Sequence, residues 1–177
     1  MSDYKKFIED ETKLKVKIKY FSDNVPRLEK IAKGDWIDLY CAENTIVLKG
    51  QRALIPLGVA MKLPSGYEAH LAPRSSTIKR GLTVANSIGI IDNSYCGDND
   101  QWFLSVIASV APKDGWEMHP FAGKDVASPI YKESVLIKQG EKIAQFRIVE
   151  NQPKFEFEEV DHLEAEDRGG FGSTGEY

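Results

Sequence analysis

From Lys13 to Tyr20 the chain alternates without a break: Lys13, Lys15, Lys17 and Lys19 against Leu14, Val16, Ile18 and Tyr20. A period of two with one polar and one apolar face predicts a half-buried strand, and the lysines blunt its edge against pairing with other chains. Further apolar-rich runs predict strands at 45–48, 53–63, 67–72, 82–86, 101–110, 134–138, 143–150 and 155–160. Leu63-Pro64-Ser65-Gly66 has turn chemistry and separates two of them. Helical periodicity is sparse. One turn is expected over 26–32 and another just after Ser75. Short strands broken by Gly, Pro and Asn predict an all-β sandwich or barrel.

Residues 111–133 break the pattern. They hold Pro112, Gly115, Pro120, Gly123 and Pro129, with Trp116 and Phe121. We read them as an ordered loop excursion between two strands. A structureless loop of that length is unusual in a compact domain, so it should carry a function or a small subfold. Residues 1–12 are charged and expected to fray. The whole chain, 1–177, reads as a single domain.

Composition narrows the function classes. A chain of 177 residues buries a core without disulfide staples. Two cysteines, Cys41 and Cys96, are too few for a disulfide framework and suit reduced thiols in the cytoplasm. The N-terminal residues lack an apolar h-region and no apolar run is long enough to span a bilayer, so neither a signal peptide nor a membrane partner is expected. A net charge of −4 leaves no dominant basic footprint, so nucleic-acid binding is not expected. A locally basic pocket for a small anion stays compatible with that charge. His70, His119 and His162 are scattered, and no Cys/His spacing suits zinc.

Five stretches are polar or glycine-rich where a plain β domain would not need them: residues 34–39, 73–76, 86–97, 140–145 and 168–175. In the last, glycines let backbone N–H groups approach an anion, and Arg168, Ser173 and Thr174 add phosphate donors. Phe171 has a face on which a base can stack. Such a tail reads as a lid over a nucleotide, or as a plain Gly/Ser tail. Arg74, Ser75 and Ser76 put one cation and two hydroxyls at a strand end, where a short helix could start and hold phosphate, or simply be capped. Residues 86–97 read as a hairpin with a polar tip carrying Asp92, for which an ordinary Asx-turn is the bland explanation. Gln145 is polar inside an apolar strand and needs a partner for its amide.

Taken together, the sequences APRSST, GIIDNSYCG, GEKIAQF and RGGFGSTG, in this order, resemble the trimeric dUTP pyrophosphatases from about Lys13 to Tyr177. The resemblance implies a distorted β jelly roll (β-clip, dUTPase-like) assembled as a homotrimer, with active sites between subunits. It implies cleavage of dUTP to dUMP and pyrophosphate. Asp92 would be the general base for water attack on the α-phosphorus. Asn86 would contact uracil, with Ile91 and the neighbouring backbone completing the base contacts. Tyr95 would pack under the deoxyribose and exclude a 2′-hydroxyl. Arg74, Ser75, Ser76 and Gln145 would hold the triphosphate. Arg168, Gly172, Ser173 and Thr174 would close over it, with Phe171 on the base, as a mobile lid spanning 164–177. Mg²⁺ would ride on the triphosphate, positioned through water by Asp38.

Two departures from the family pattern stand out: Trp36 and Ile37 before Asp38, and the inserted segment 111–133. Some phage-type members carry insertions at this place, which points to a phage or prophage source and makes the segment a candidate surface for a protein partner. The rival enzyme of the same fold, dCTP deaminase, needs a base-proximal glutamate that residues 86–97 lack. A regulatory protein that retains the nucleotide site as a sensor is the rival from another class.

Overall fold

The computed structural model describes residues 13–109, 112–121, 124–131 and 134–167. Its regular secondary structure is almost wholly strand, but the half-buried strand expected over 13–20 forms only over 17–20, and its apolar Leu14 and Ile18 stay exposed. In chain order the strands are β1 (Lys17–Tyr20), β2 (Ile37–Tyr40), β3 (Thr45–Leu48), β4 (Arg52–Pro56), β5 (Val59–Lys62), β6 (Tyr67–Pro73), β7 (Leu82–Val84), β8 (Gly89–Ile91), β9 (Phe103–Ala108), β10 (Pro112–Phe121), β11 (Lys124–Tyr131), β12 (Ser134–Ile137) and β13 (Lys142–Glu150). A single 3-10 turn, Ile78–Arg80, precedes β7.

The central sheet runs β2-β13-β6-β8 and a second runs β4-β9-β7. β1 pairs with β5, β12 with β3, and β10 with β11. All named pairings are antiparallel. The inward positions of both larger sheets meet in one core that contains Leu39, Ile55, Leu71, Leu104, Ile143 and Phe146. Trp102 lies fully inside it, its ring edge-on to Phe146 at 5.3 Å. Full burial of each such side chain contributes roughly 1.5–3 kcal/mol.

The expected strand 53–63 is two strands. Gly58 sits at φ +67°, and a Cβ there would lie 2.5 Å from Val25 Cγ2 and 2.9 Å from Ala42 Cβ. The chain turns at this glycine, so β4 pairs with β9 while β5 leaves to pair with β1. The helical turn expected over 26–32 does not form. Tyr20 organises that stretch instead: its hydroxyl accepts the Leu28 N–H, and Arg27 lies 4.2 Å from its ring centre.

The excursion 111–133 is a subfold rather than a loop, because β10 and β11 pair with each other in a two-stranded sheet. Its prolines are tolerated because a two-stranded sheet is all edge. Residues 86–97 are not a self-paired hairpin: β8 pairs with β6, while β7 pairs with β9. The strand expected at 155–160 is also absent. Residues 151–167 are exposed throughout, and Phe157 is 89 % accessible. Among the described residues no helix is long and apolar enough to cross a membrane.

Candidate active site

β6 is the spine of the site. At its C-terminal end the chain makes a tight turn in which the Thr77 N–H donates to Arg74 O at 2.9 Å. Ser75 and Ser76 fill the middle of this turn and are exposed. The helix start expected here shrinks to the three-residue 3-10 turn, and Thr77 makes no side-chain cap to it. Thr77 has another task. Its buried hydroxyl donates to Ile143 O at 3.0 Å and accepts the Arg74 N–H at 3.1 Å. It therefore fastens the turn to β13.

β13 brings two further polar side chains to this end. Gln145 stands opposite Asp38 of β2 on one side and Ala72 of β6 on the other. Its amide has the partner that its place in an apolar strand demands, donating to Pro73 O at 3.0 Å. Asp38 takes a cation on each oxygen: Arg74 Nε on Oδ1 at 2.7 Å and Lys142 Nζ on Oδ2 at 2.9 Å. Hydrogen bonding to Asp38 raises the Lys142 pKa above the usual lysine value.

Lys142 and Gln145 are three residues apart, which in a regular strand puts them on opposite faces. The register of β13 against β2 slips between Lys142 and Ala144. Ile143 and Ala144 are both buried across this bulge, and Lys142 returns to the side of Gln145 and Arg147. Trp36, the departure noted before Asp38, lies beneath Arg147 with its ring centre 5.9 Å from the guanidinium carbon, while Ile37 packs on the core.

The other end of the site follows β8. Asn86 is exposed in the turn after β7, where Ser87 adopts φ 61°. The Ile91 side chain packs on the core, and its backbone lies in register with Ala69 of β6. Asp92 is exposed and closes an Asx-turn, accepting the Ser94 N–H at 2.7 Å. Hydrogen bonds from the Ser94 side chain and amide hold its carboxyl below the usual carboxylate range. The Tyr95 N–H donates to Asp92 O, and the Tyr95 hydroxyl donates to Gln101 O at 3.1 Å, which fixes the ring.

Asp92 borders two cavities. One, of about 350 Å³, is also lined by Ile90, Ile91, Tyr95, Trp102 and Phe103. The other, of about 740 Å³, includes Glu68, Lys154 and Phe155. Glu68 is the carboxylate nearest in register to Asp92, but it is engaged by His70 Nε2 at 2.8 Å.

The two ends share one face of one sheet but lie far apart within a chain. Ile91 is opposite Ala69, so Asp92 falls beside Glu68, while Arg74 follows the far end of β6. At about 3.3 Å per residue that separation is roughly 20 Å. Arg168, Phe171, Gly172, Ser173 and Thr174, assigned to the lid from sequence, lie outside the described residues. Lys142 is the site residue that sequence reasoning missed. Its signal was a basic residue inside GEKIAQF, but the bulge that turns it toward Asp38 is invisible in the sequence.

The family model for dUTPase matches residues 34–103, the span that contains Asp38, Arg74, Asn86 and Asp92. The SPbeta prophage-derived deoxyuridine 5'-triphosphate nucleotidohydrolase of Bacillus subtilis is 44 % identical over 163 residues, covering 92 % of this chain and 99 % of that protein. The chain belongs to the dUTPase family. The deoxyuridine 5'-triphosphate nucleotidohydrolase of Hydrogenobaculum is 34 % identical over 143 residues, 78 % of this chain and 82 % of its own. In fold, this dUTPase is similar to that of Staphylococcus bacteriophage 80alpha solved with dUpNHpp, at a TM-score of 0.69 and 23 % identity over 91 % of this chain and 98 % of the other. It is also similar to the dUTPase of phage phi11 of S. aureus, whose structure visualises a species-specific insert, at a TM-score of 0.64 and 23 % identity, covering 85 % of this chain and 99 % of that one. These likenesses carry the jelly-roll fold, and the sequence relatives carry the family.

Proposed function

We propose that this dUTPase cleaves dUTP to dUMP and pyrophosphate with Asp92 as the general base. The placement of Asp92 carries the assignment: an exposed, ionised carboxylate, oriented by Ser94 and set between two cavities. It accepts a proton from water as the water oxygen attacks the α-phosphorus. The bond from that phosphorus to the bridging oxygen breaks, and pyrophosphate leaves. Asn86 and the Ile91 backbone read uracil. Tyr95, its ring pinned through Gln101, packs under the sugar. Arg74, Ser75, Ser76 and Gln145 hold the phosphates.

Asp38 would meet a substrate-borne Mg²⁺ through water. Among the described residues no group of three His, Cys, Asp or Glu gathers as a metal cage, and Asp38 is one carboxylate already flanked by two cations. That set suits an ion carried by substrate phosphates, and such an ion would supply charge neutralisation at the leaving pyrophosphate.

The site is completed by other copies of the chain, in a homotrimer. The roughly 20 Å between Asp92 and Arg74 exceeds what one triphosphate bridges, so the base end of one copy meets the phosphate end of another. Exposed apolar side chains support assembly. Ile46, Leu48 and Leu136 lie on the outer face of β3 and β12, and Leu54 and Phe103 on that of β4 and β9. Arg168, Phe171, Gly172, Ser173 and Thr174 close the site as a lid. The enzyme acts in the cytoplasm, consistent with its unpaired Cys41 and Cys96. Among the described residues the β10–β11 arm pairs with itself and with no other strand, which supports it as a second surface for a protein partner.

The test is pyrophosphate release from dUTP, dTTP, dCTP and UTP, alongside sedimentation of the protein. We expect cleavage confined to dUTP, a mass of three chains, and a 10²–10⁴-fold loss of kcat in Asp92→Asn with the trimer intact. Full activity in Asp92→Asn, or in a monomer, would remove the proposed base or the shared site.

A further inference from the structure

Lys142 has no role in the chemistry above, yet it holds half of Asp38. We propose that Lys142 is a positioning residue for phosphate binding: by sharing Asp38 with Arg74, it leaves the Arg74 guanidinium able to turn toward an incoming triphosphate. The inference rests on the reading of Arg74, Asp38 and Gln145 as the phosphate end of the site.

The geometry divides the carboxylate evenly, with Arg74 on Oδ1 at 2.7 Å and Lys142 on Oδ2 at 2.9 Å. The Lys142 ammonium also lies 5.8 Å from the Tyr40 ring centre, which fixes it beside β2. The next acidic neighbour does not cancel this charge, because Glu141 is engaged by Arg80 and by the Lys138 N–H. One anion and two cations leave the cluster net positive. Without Lys142, Asp38 and Arg74 would form a neutral pair, and Asp38 would hold Arg74 alone. A triphosphate would then meet less attraction and would have to compete with an undivided carboxylate. Both effects weaken binding.

Isothermal titration of the intact full-length assembly tests this. The probes are a nonhydrolysable dUTP analogue and deoxyuridine, both in EDTA so that metal plays no part. Lys142→Met should weaken the analogue roughly five- to ten-fold, the scale of a half-exposed charge pair. Deoxyuridine, which has no phosphate, should bind unchanged. Lys142→Arg should restore most of the affinity. Adding Asp38→Asn to Lys142→Met should recover part of the loss, because a neutral amide releases Arg74. Undiminished analogue binding in Lys142→Met would overturn the inference. So would a parallel loss of deoxyuridine, an arginine variant no better than methionine, or no recovery in the double variant. Arg74→Met separates the two failures. If it leaves analogue affinity intact, the phosphate-end reading itself is wrong. If it weakens binding while Lys142→Met does not, only the role of Lys142 falls.

Discussion

Arg74 stands at the end of β6 with its side chain on Asp38 and its backbone fastened through Thr77 to β13. Asp92, at the other end of the same strand pair, is held by its own turn and opens onto cavities. The Arg74 end is thus built into the sheet by strand pairing and by the Asp38–Arg74–Lys142 cluster. The Asp92 end is a local turn held by its own hydrogen bonds and left exposed. One end is a charge cluster fixed where β2, β6 and β13 meet, and the other is a single carboxylate oriented by its own turn.

The largest effect is expected from disabling the Arg74 end alone. Arg74→Met removes a charge-assisted contact worth about 1.5–3 kcal/mol, so KM for dUTP should rise roughly 10- to 100-fold while kcat falls less. Steady-state kinetics reads the split, and an equal fall in kcat would mean that Arg74 acts in the transition state. A smaller effect tests the fastening. Thr77→Val keeps the shape but leaves Ile143 O and the Arg74 N–H without the hydroxyl, which should cost about 1–3 kcal/mol in thermal unfolding. The smallest effect sharpens the base end. Hydrogen bonds from Ser94 lower the Asp92 pKa, so its carboxylate persists to lower pH than an ordinary aspartate. The kcat/KM profile should therefore lose activity only as pH falls through that lowered value. Ser94→Ala removes the hydroxyl and should move this acidic limb upward toward the usual carboxylate range. An unmoved limb would assign it to another group.

Much of the fold was legible in the sequence. β3, β6, β9, β12 and most of β13 were expected from short apolar-rich runs bounded by turn residues, and each buries part of its length in the core. β2 escaped because four residues after Trp36 carry too little period to register. The break at Gly58 escaped because its cause is a close approach to Val25 and Ala42, residues distant in sequence. Residues 155–160 have the composition of a strand, but composition does not supply a pairing partner, and none comes from the described residues of the same chain. For the site, the residue types of Asp38, Arg74, Gln145 and Asp92 were legible as motifs. Their division between two ends of β6 was not, because it depends on which strands pair. The position of Lys142 was not legible either, because a bulge inverts its facing.

The feet of the β10–β11 arm stand close together. β9 ends at Ala108, which bridges to Lys49, and β12 begins at Ser134, which pairs with Leu48. The two ends are therefore separated by about two strand spacings, roughly 10 Å. A segment rooted this way can be lengthened, replaced or traded between lineages while every register in the enzyme body stays as it is. Change in the arm is thereby mechanically separable from the body: an insertion or replacement between Ala108 and Ser134 need not disturb either larger sheet.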